Sequence, residues 1–172
     1  MNLNDYRRNY NLPLRMTTLG ILRQGDHVFL GMKKRGFGAG KWNFPGGKGK
    51  EGEAPERCVI RETRQEFKTR IGTLHLVAIL YFYFADVDPI KGWDQKCYVF
   101  AVDSWSGQPQ ESGEMLPQRW PIAAIPYEQM WPADRHWIEP VLSGEVLTGY
   151  FLFTAEPKCL EHQIVPGQII DE

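Results

Sequence analysis

Between Gly46 and Glu66 the chain gathers groups able to hold a hard cation beside a phosphate chain. Gly46, Gly47, Gly49 and Gly52 allow a backbone to turn tightly and approach a ligand closely. Glu53 follows Gly47, and after seven residues come Arg61 and Glu62 and then Glu66. On a helix, Glu62 and Glu66 stand one turn apart and project together. That pairing suits Mg²⁺, with Mn²⁺ as an alternative, because such an ion takes oxygen ligands and binds through a carboxylate or two together with substrate phosphates. The ion would polarise a phosphoryl oxygen and activate water, so the chemistry is hydrolysis of a phosphate anhydride. Two glutamates alone would read as a solvated helix face paired with Arg61 and Arg64. The long gapped combination of glycines, acid and Arg-Glu is what chance rarely supplies.

These groups need elements to carry them. Met16 to Leu22 and His27 to Met32 are short apolar runs around Arg23-Gln24-Gly25-Asp26, which predicts two antiparallel strands and a hairpin turn. Ala54 to Phe67 predicts a helix, with Pro55 in its first turn and Glu53 and Glu56 beside its start. Val59, Ile60, Thr63 and Phe67 would form its packed side, with Glu62 and Glu66 on a different face. Leu74 to Ala85 and Lys96 to Val102 read as strands, Trp137 to Leu142 as a second helix and Leu147 to Thr154 as the last strand. The implied fold class is α/β, a mixed sheet in an α/β sandwich. Residues 1–14 read as a flexible tail and 15–172 as one domain.

The loop from Lys33 to Lys50 packs six glycines and six basic residues into eighteen positions. Lys33, Lys34, Arg35, Lys41, Lys48 and Lys50 would ordinarily be solvated charge, yet beside a metal they suit a phosphate chain. A net charge of −1 gives no field for a long polyanion, so no extended nucleic acid is expected as a partner. Cys58, Cys97 and Cys159 cannot all pair and lack metal-type spacing, which points to a reducing compartment. No apolar stretch is long enough to cross a bilayer and no secretory signal opens the chain. A cytoplasmic, monomeric protein acting on a small anion is the expectation.

The stretch from Gly47 to Thr69 resembles the Nudix box, written G-x5-E-x7-R-E-U-x-E-E-x-G-U with U aliphatic. Gly47, Glu53, Arg61, Glu62 and Glu66 fall in register, whereas Thr63 and Thr69 stand at aliphatic positions, Gln65 replaces a Glu and Lys68 a Gly. The amide of Gln65 brings no charge, which implies a weaker or missing metal site and motivates an alternative reading as a weakened nucleotide- or RNA-binding module. Gly31–Asn43, Glu111–Met115, Met130–Asp134 and Gly149–Phe151 are similar to stretches of the oxidised-purine nucleoside triphosphatases within that family. The resemblance implies the Nudix α/β/α sandwich with a mixed sheet. It also implies a pyrophosphohydrolase that converts (oxidised) purine nucleoside triphosphates to monophosphates, or another nucleoside diphosphate-linked substrate.

By the same resemblance Glu62, Glu66, Glu114 and the Gly46 carbonyl hold the metal, with Glu62 or Glu114 as base. Phe37, Asn43, Phe82, Met115, Trp131, Asp134 and Trp137 line the base pocket, while Thr18, Lys33, Gly47 and Lys48 face the nucleotide. Stacking on aromatic faces and edge recognition by an Asn and an Asp make physical sense of such a pocket. The related enzymes carry two adjacent Asp residues after Trp-Pro; here the first is Ala133, which implies a narrower or shifted base preference.

Overall fold

The computed structural model describes all 172 residues. Strand β1 (Arg15–Gln24) turns at Gly25 into β2 (His27–Lys33), as the hairpin signal requires. β1 pairs with β2 only next to the turn and otherwise runs parallel to β5 (Gln95–Ser106). β5 is antiparallel to β4 (Arg70–Phe84), β4 parallel to β7 (Leu147–Phe153), and β7 antiparallel to β8 (Cys159–Pro166). On the far side β2 carries the two-residue β3 (Trp42–Asn43) and the longer β6 (Met115–Pro121). The sheet is therefore mixed, and β1 is the strand shared by its two parts.

Helix α2 (Pro55–Phe67) matches the predicted helix, with Pro55 at its start. Lys68 ends it in the left-handed conformation at φ 55°, its N–H bonded to the Arg64 carbonyl, so a lysine here tolerates what glycine adopts freely. Cys58, Val59, Thr63 and Phe67 are buried on α2, and Val59 and Phe67 pack on Phe100 and Val102 of β5. Helix α3 (Asp134–Leu142) covers the opposite face, where Trp137, Ile138 and Val141 meet Leu80, Val99 and Phe151. With α2 on one face of the sheet and α3 on the other, the layers are α/β/α.

Three expectations are corrected. The loose tail contains helix α1 (Leu3–Asn9), capped by the Asn2 side chain on the Asp5 amide and seated by Leu3 and Tyr6 on Tyr81, Tyr83 and Tyr150. β7 is not the last strand, because β8 follows it; and β6 went unread. β8 is mostly exposed, with its polar residues Glu161, His162 and Gln163 consecutive, and β6 carries Pro117 and Pro121, which an edge strand accommodates. Neither presents the apolar alternation that announces a buried strand. Cys58, Cys97 and Cys159 are free thiols, and no helix is long and apolar enough to cross a membrane.

Candidate active site

The glycine-rich loop is laid along β1 as a short extra strand. Thr18 donates its amide to the Gly47 carbonyl (2.9 Å), Gly49 donates to Met16 (2.9 Å) and Gly20 to Pro45 (2.8 Å). Gly46 lies so close to β1 that a Cβ there would stand 1.9 Å from the Thr18 carbonyl oxygen. A Cβ on Gly47 would stand 2.7 Å from Glu62 Cδ. At Gly46 the absence of a side chain is thus a steric requirement, because the clash is with the backbone of β1; at Gly47 it leaves the place that the Glu62 carboxylate occupies, which a Cβ would displace.

Arg61 ties the loop to the helix. Its guanidinium donates to both oxygens of Glu53 (2.8 and 2.9 Å), to the Lys48 carbonyl (3.1 Å) and to Glu62 Oε1 (2.6 Å). Glu62 is thereby held by charge-assisted bonds rather than left to a flexible side chain. Glu66, 3% exposed, accepts the Gly46 N–H at 3.1 Å. The helix face expected to stand apart from the core therefore does so only in part, since Glu66 is buried. Glu114, from the loop before β6, completes the group: one oxygen from each of Glu62, Glu66 and Glu114 lies within 4.8 Å of the others.

Burial pushes the Glu66 carboxyl up to about 8; the Gly46 amide opposes this, and the charges of Glu62 and Glu114 add to it. A buried carboxylate among carboxylates, with one N–H as partner, is costly to ionise unless a cation shares the site. Three hard oxygen donors, one of them so placed, fit a divalent cation of the Mg²⁺ type.

The carboxylates open into a cavity of 380 Å³ that also contains the aromatic groups. Thr18, Lys33, Gly46, Gly47 and Lys48 line it together with Phe37, Asn43, Phe82, Met115, Trp131 and Asp134. The rings of Phe37 and Trp131 are stacked with centroids 5.0 Å apart and planes at 26°. They already touch, so a flat ligand would meet the cavity side of the pair. Asn43 uses Oδ1 to accept the Phe44 amide at 2.8 Å, which fixes its side chain at the wall.

Asp134, 4% exposed, accepts from the Trp131 amide (3.2 Å) and the Trp137 indole N–H (3.0 Å). Burial pushes its carboxyl up to about 7 against both donors. The carboxyl is thus poised to present either a donor or an acceptor near neutral pH. Trp137 departs from the sequence expectation. It is fully buried and does not line the cavity, so its part is to orient Asp134 from beneath.

Sequence reasoning missed Thr17, Leu19, Phe84, Gln95, Cys97 and Phe153, which also face the cavity. All lie on β1, β4, β5 or β7, where alternation shows that a side is buried without showing that a cavity lies there. Gln65, on α2, and Lys68, which caps it, are exposed and stand outside the cavity.

Comparison with known proteins agrees with this arrangement. The NUDIX domain model matches residues 13–141. The oxidized purine nucleoside triphosphate hydrolase of Danio rerio is 38% identical over 150 residues, 87% of this chain and 94% of that protein; its counterpart from Mus musculus is 37% identical over the same share. Among solved structures, the MutT protein from Bacillus halodurans superposes with a TM-score of 0.76 at 24% identity, covering 88% of this chain and 97% of that one. MutT NUDIX hydrolase from Burkholderia pseudomallei superposes at 0.65 with 22% identity, covering 76% and 99%; at these identities the two structures speak for the fold. A glycine loop held on β1, a helix that returns two glutamates to it, and a domain match across three quarters of the chain lead to one conclusion: this protein is a hydrolase of the Nudix family.

Proposed function

We propose that this protein is a Mg²⁺-dependent pyrophosphohydrolase that converts oxidised purine nucleoside triphosphates to the monophosphate and pyrophosphate, removing damaged nucleotides from the pool. The observation that carries the reading is that the three carboxylates and the aromatic, Asn- and Asp-bearing pocket share one cavity, so phosphate chain and base are addressed together. The names of the Danio rerio and Mus musculus relatives support the same substrate class.

Glu62, Glu66 and Glu114, with the Gly46 carbonyl, would hold the ion. When bound, Mg²⁺ would neutralise phosphate charge and polarise the phosphoryl group whose phosphorus is attacked. Lys33 and Lys48, which line the same cavity, would bind the phosphate oxygens. Either Glu62, fixed by Arg61, or Glu114 would accept the proton of the attacking water. Trp131, Phe37 and Phe82 would take the base by its faces, and Asn43 and Asp134 would read its edge. Catalysis is then positioning plus charge neutralisation. With a net charge of −1 the protein would act on free nucleotide rather than on long nucleic acid, as a monomer in the cytoplasm.

The test is pyrophosphate release with Mg²⁺ across ordinary and oxidised nucleoside triphosphates, nucleotide sugars and dinucleoside polyphosphates, with Glu66→Gln as control. Turnover of an oxidised purine triphosphate that the variant loses is the expected result. Cleavage confined to nucleotide sugars or dinucleoside polyphosphates would overturn the substrate assignment.

A further inference from the structure

The base end of the cavity is held together at one buried side chain that does not itself line it. Asp94 is 2% exposed and sits where the chain returns from β4 to β5. Its Oδ1 accepts the Phe84 amide at 2.7 Å, and its backbone carbonyl accepts the Arg15 amide at 3.1 Å. On either side of it, Trp93 meets the rings of Phe37 (5.4 Å) and Phe84 (5.5 Å), and Gln95 faces the cavity. Phe84, Trp93 and Gln95 thus depend on Asp94 for their placement. The remaining oxygen, Oδ2, accepts the hydroxyl of Tyr6 at 3.0 Å, and that hydroxyl also lies 3.3 Å from the Phe84 carbonyl oxygen.

Tyr6 belongs to α1, which is anchored independently of the cavity. The Leu3 amide donates to Glu161 Oε2 (2.9 Å), and the Arg7 guanidinium lies 3.5 Å over the Tyr150 ring while pairing with Glu172 at 3.2 Å. Tyr6 also packs against Tyr83, which neighbours Phe84 on β4. A helix fixed to β7 and β8 therefore donates its one buried hydroxyl to the carboxylate that organises the cavity wall.

We infer that α1 is a buttress of the base pocket, with Tyr6 and Asp94 as positioning residues that set its affinity for the base while leaving the phosphate end untouched. A buried hydrogen bond to a carboxylate is worth more than a neutral one, and its loss frees the segment from Phe84 to Gln95. The metal ligands on α2 and at Glu114 have no bond to this network. The inference rests on the proposed purine substrate only for the choice of ligand.

The experiment is calorimetric titration of full-length wild type and Tyr6→Phe with 8-oxo-dGMP, and separately with inorganic tripolyphosphate in Mg²⁺. Steady-state kinetics and backbone hydrogen exchange accompany it. Tyr6→Phe should weaken 8-oxo-dGMP about five- to tenfold, raise KM by a similar factor and leave both kcat and the tripolyphosphate Kd within about twofold. Asp94→Asn, which can still accept from Phe84 and bond to Tyr6 but without the charge, should fall between wild type and Tyr6→Phe, whereas Asp94→Ala should fall below Tyr6→Phe. Unchanged 8-oxo-dGMP affinity in Tyr6→Phe, or equal weakening of both ligands, would overturn the inference. Should wild type not bind 8-oxo-dGMP, the substrate proposal fails, and hydrogen exchange decides the buttress: faster exchange over residues 84–95 with residues 58–66 unchanged supports it, and no change refutes it.

Discussion

Replacing Glu66 by Gln should stabilise the metal-free protein at alkaline pH while destroying its activity. The side chain is 3% exposed, and its one recorded partner is the Gly46 N–H, which a glutamine carbonyl can accept equally well. Burial first, and the neighbouring Glu62 and Glu114 after it, raise the carboxyl from an ordinary 4.5 to about 8. A carboxyl raised on folding contributes fully below its unfolded value and loses that contribution as pH climbs through the folded value. At about pH 9 the metal-free wild type should therefore carry a penalty of at most about 5 kcal/mol, reduced to roughly 2–4 kcal/mol by water reaching the carboxylate from the cavity. Glu66→Gln removes it, which corresponds to a rise in Tm of roughly 5–15 °C for a chain of this size. At about pH 5 the wild-type carboxyl is already largely neutral, and the difference should nearly vanish. Excess Mg²⁺ should reverse the order at pH 9, because the wild-type carboxylate is already ionised there and gains the ion as a charged ligand, whereas the neutral amide of the variant does not. Turnover of the variant should fall at least about a hundredfold. Thermal unfolding by circular dichroism, with chelator and then with Mg²⁺ at both pH values, measures each part. A variant no more stable than wild type at pH 9 without metal, or equally stabilised at both pH values, would refute the account of Glu66 as a carboxylate whose burial awaits a cation.

Asp134 should give kcat/KM for an oxidised purine triphosphate an inflection near pH 7 at saturating Mg²⁺, since the neutral acid donates to the base edge and the carboxylate only accepts; Asp134→Asn should flatten it. Trp137→Phe deletes a donor that favours the charged form, so the inflection should move above 7 and base affinity should drop although residue 137 touches no ligand; an unmoved inflection would contradict the positioning role. Gln65→Glu, on an exposed face outside the cavity, should change turnover by less than about threefold, and a large gain from a nearly inactive start would instead revive the binding-module reading. With Ala133 fully buried in the core beside a single carboxylate, turnover of 8-oxo-dGTP and 2-oxo-dATP should be unequal; comparable rates for the two, measured as pyrophosphate release, would remove any part for Ala133 in base choice.

The parts legible in the sequence are those where one physical demand leaves a local trace. Gly46 and Gly47 are legible because no side chain fits between β1 and Glu62, and Glu62 and Glu66 because one helical turn fixes their relation. The start of α2 followed from Pro55 and the acids beside it, and the β1–β2 turn from Gly25. What stayed hidden depends on a partner distant in the chain. β6 and β8 bury little and owe their existence to the hydrogen bonds offered by β2 and β7, so their own residues carry a weak pattern. Helix α1 is too short to be stable by itself and forms because Tyr81, Tyr83 and Tyr150 provide a surface for Leu3 and Tyr6. The same division separates Trp131 from Trp137: the first precedes α3 and faces the cavity, the second lies one turn into the helix and donates to Asp134 from the core, a difference that residue type does not show. Reading chemistry from residue type and spacing therefore reaches the atoms proposed to touch the ligand more readily than the atoms that aim them. Asp94 illustrates why: its spacing to Phe84 and Tyr6 has no period, and its importance arises only when β4, β5 and α1 meet around it.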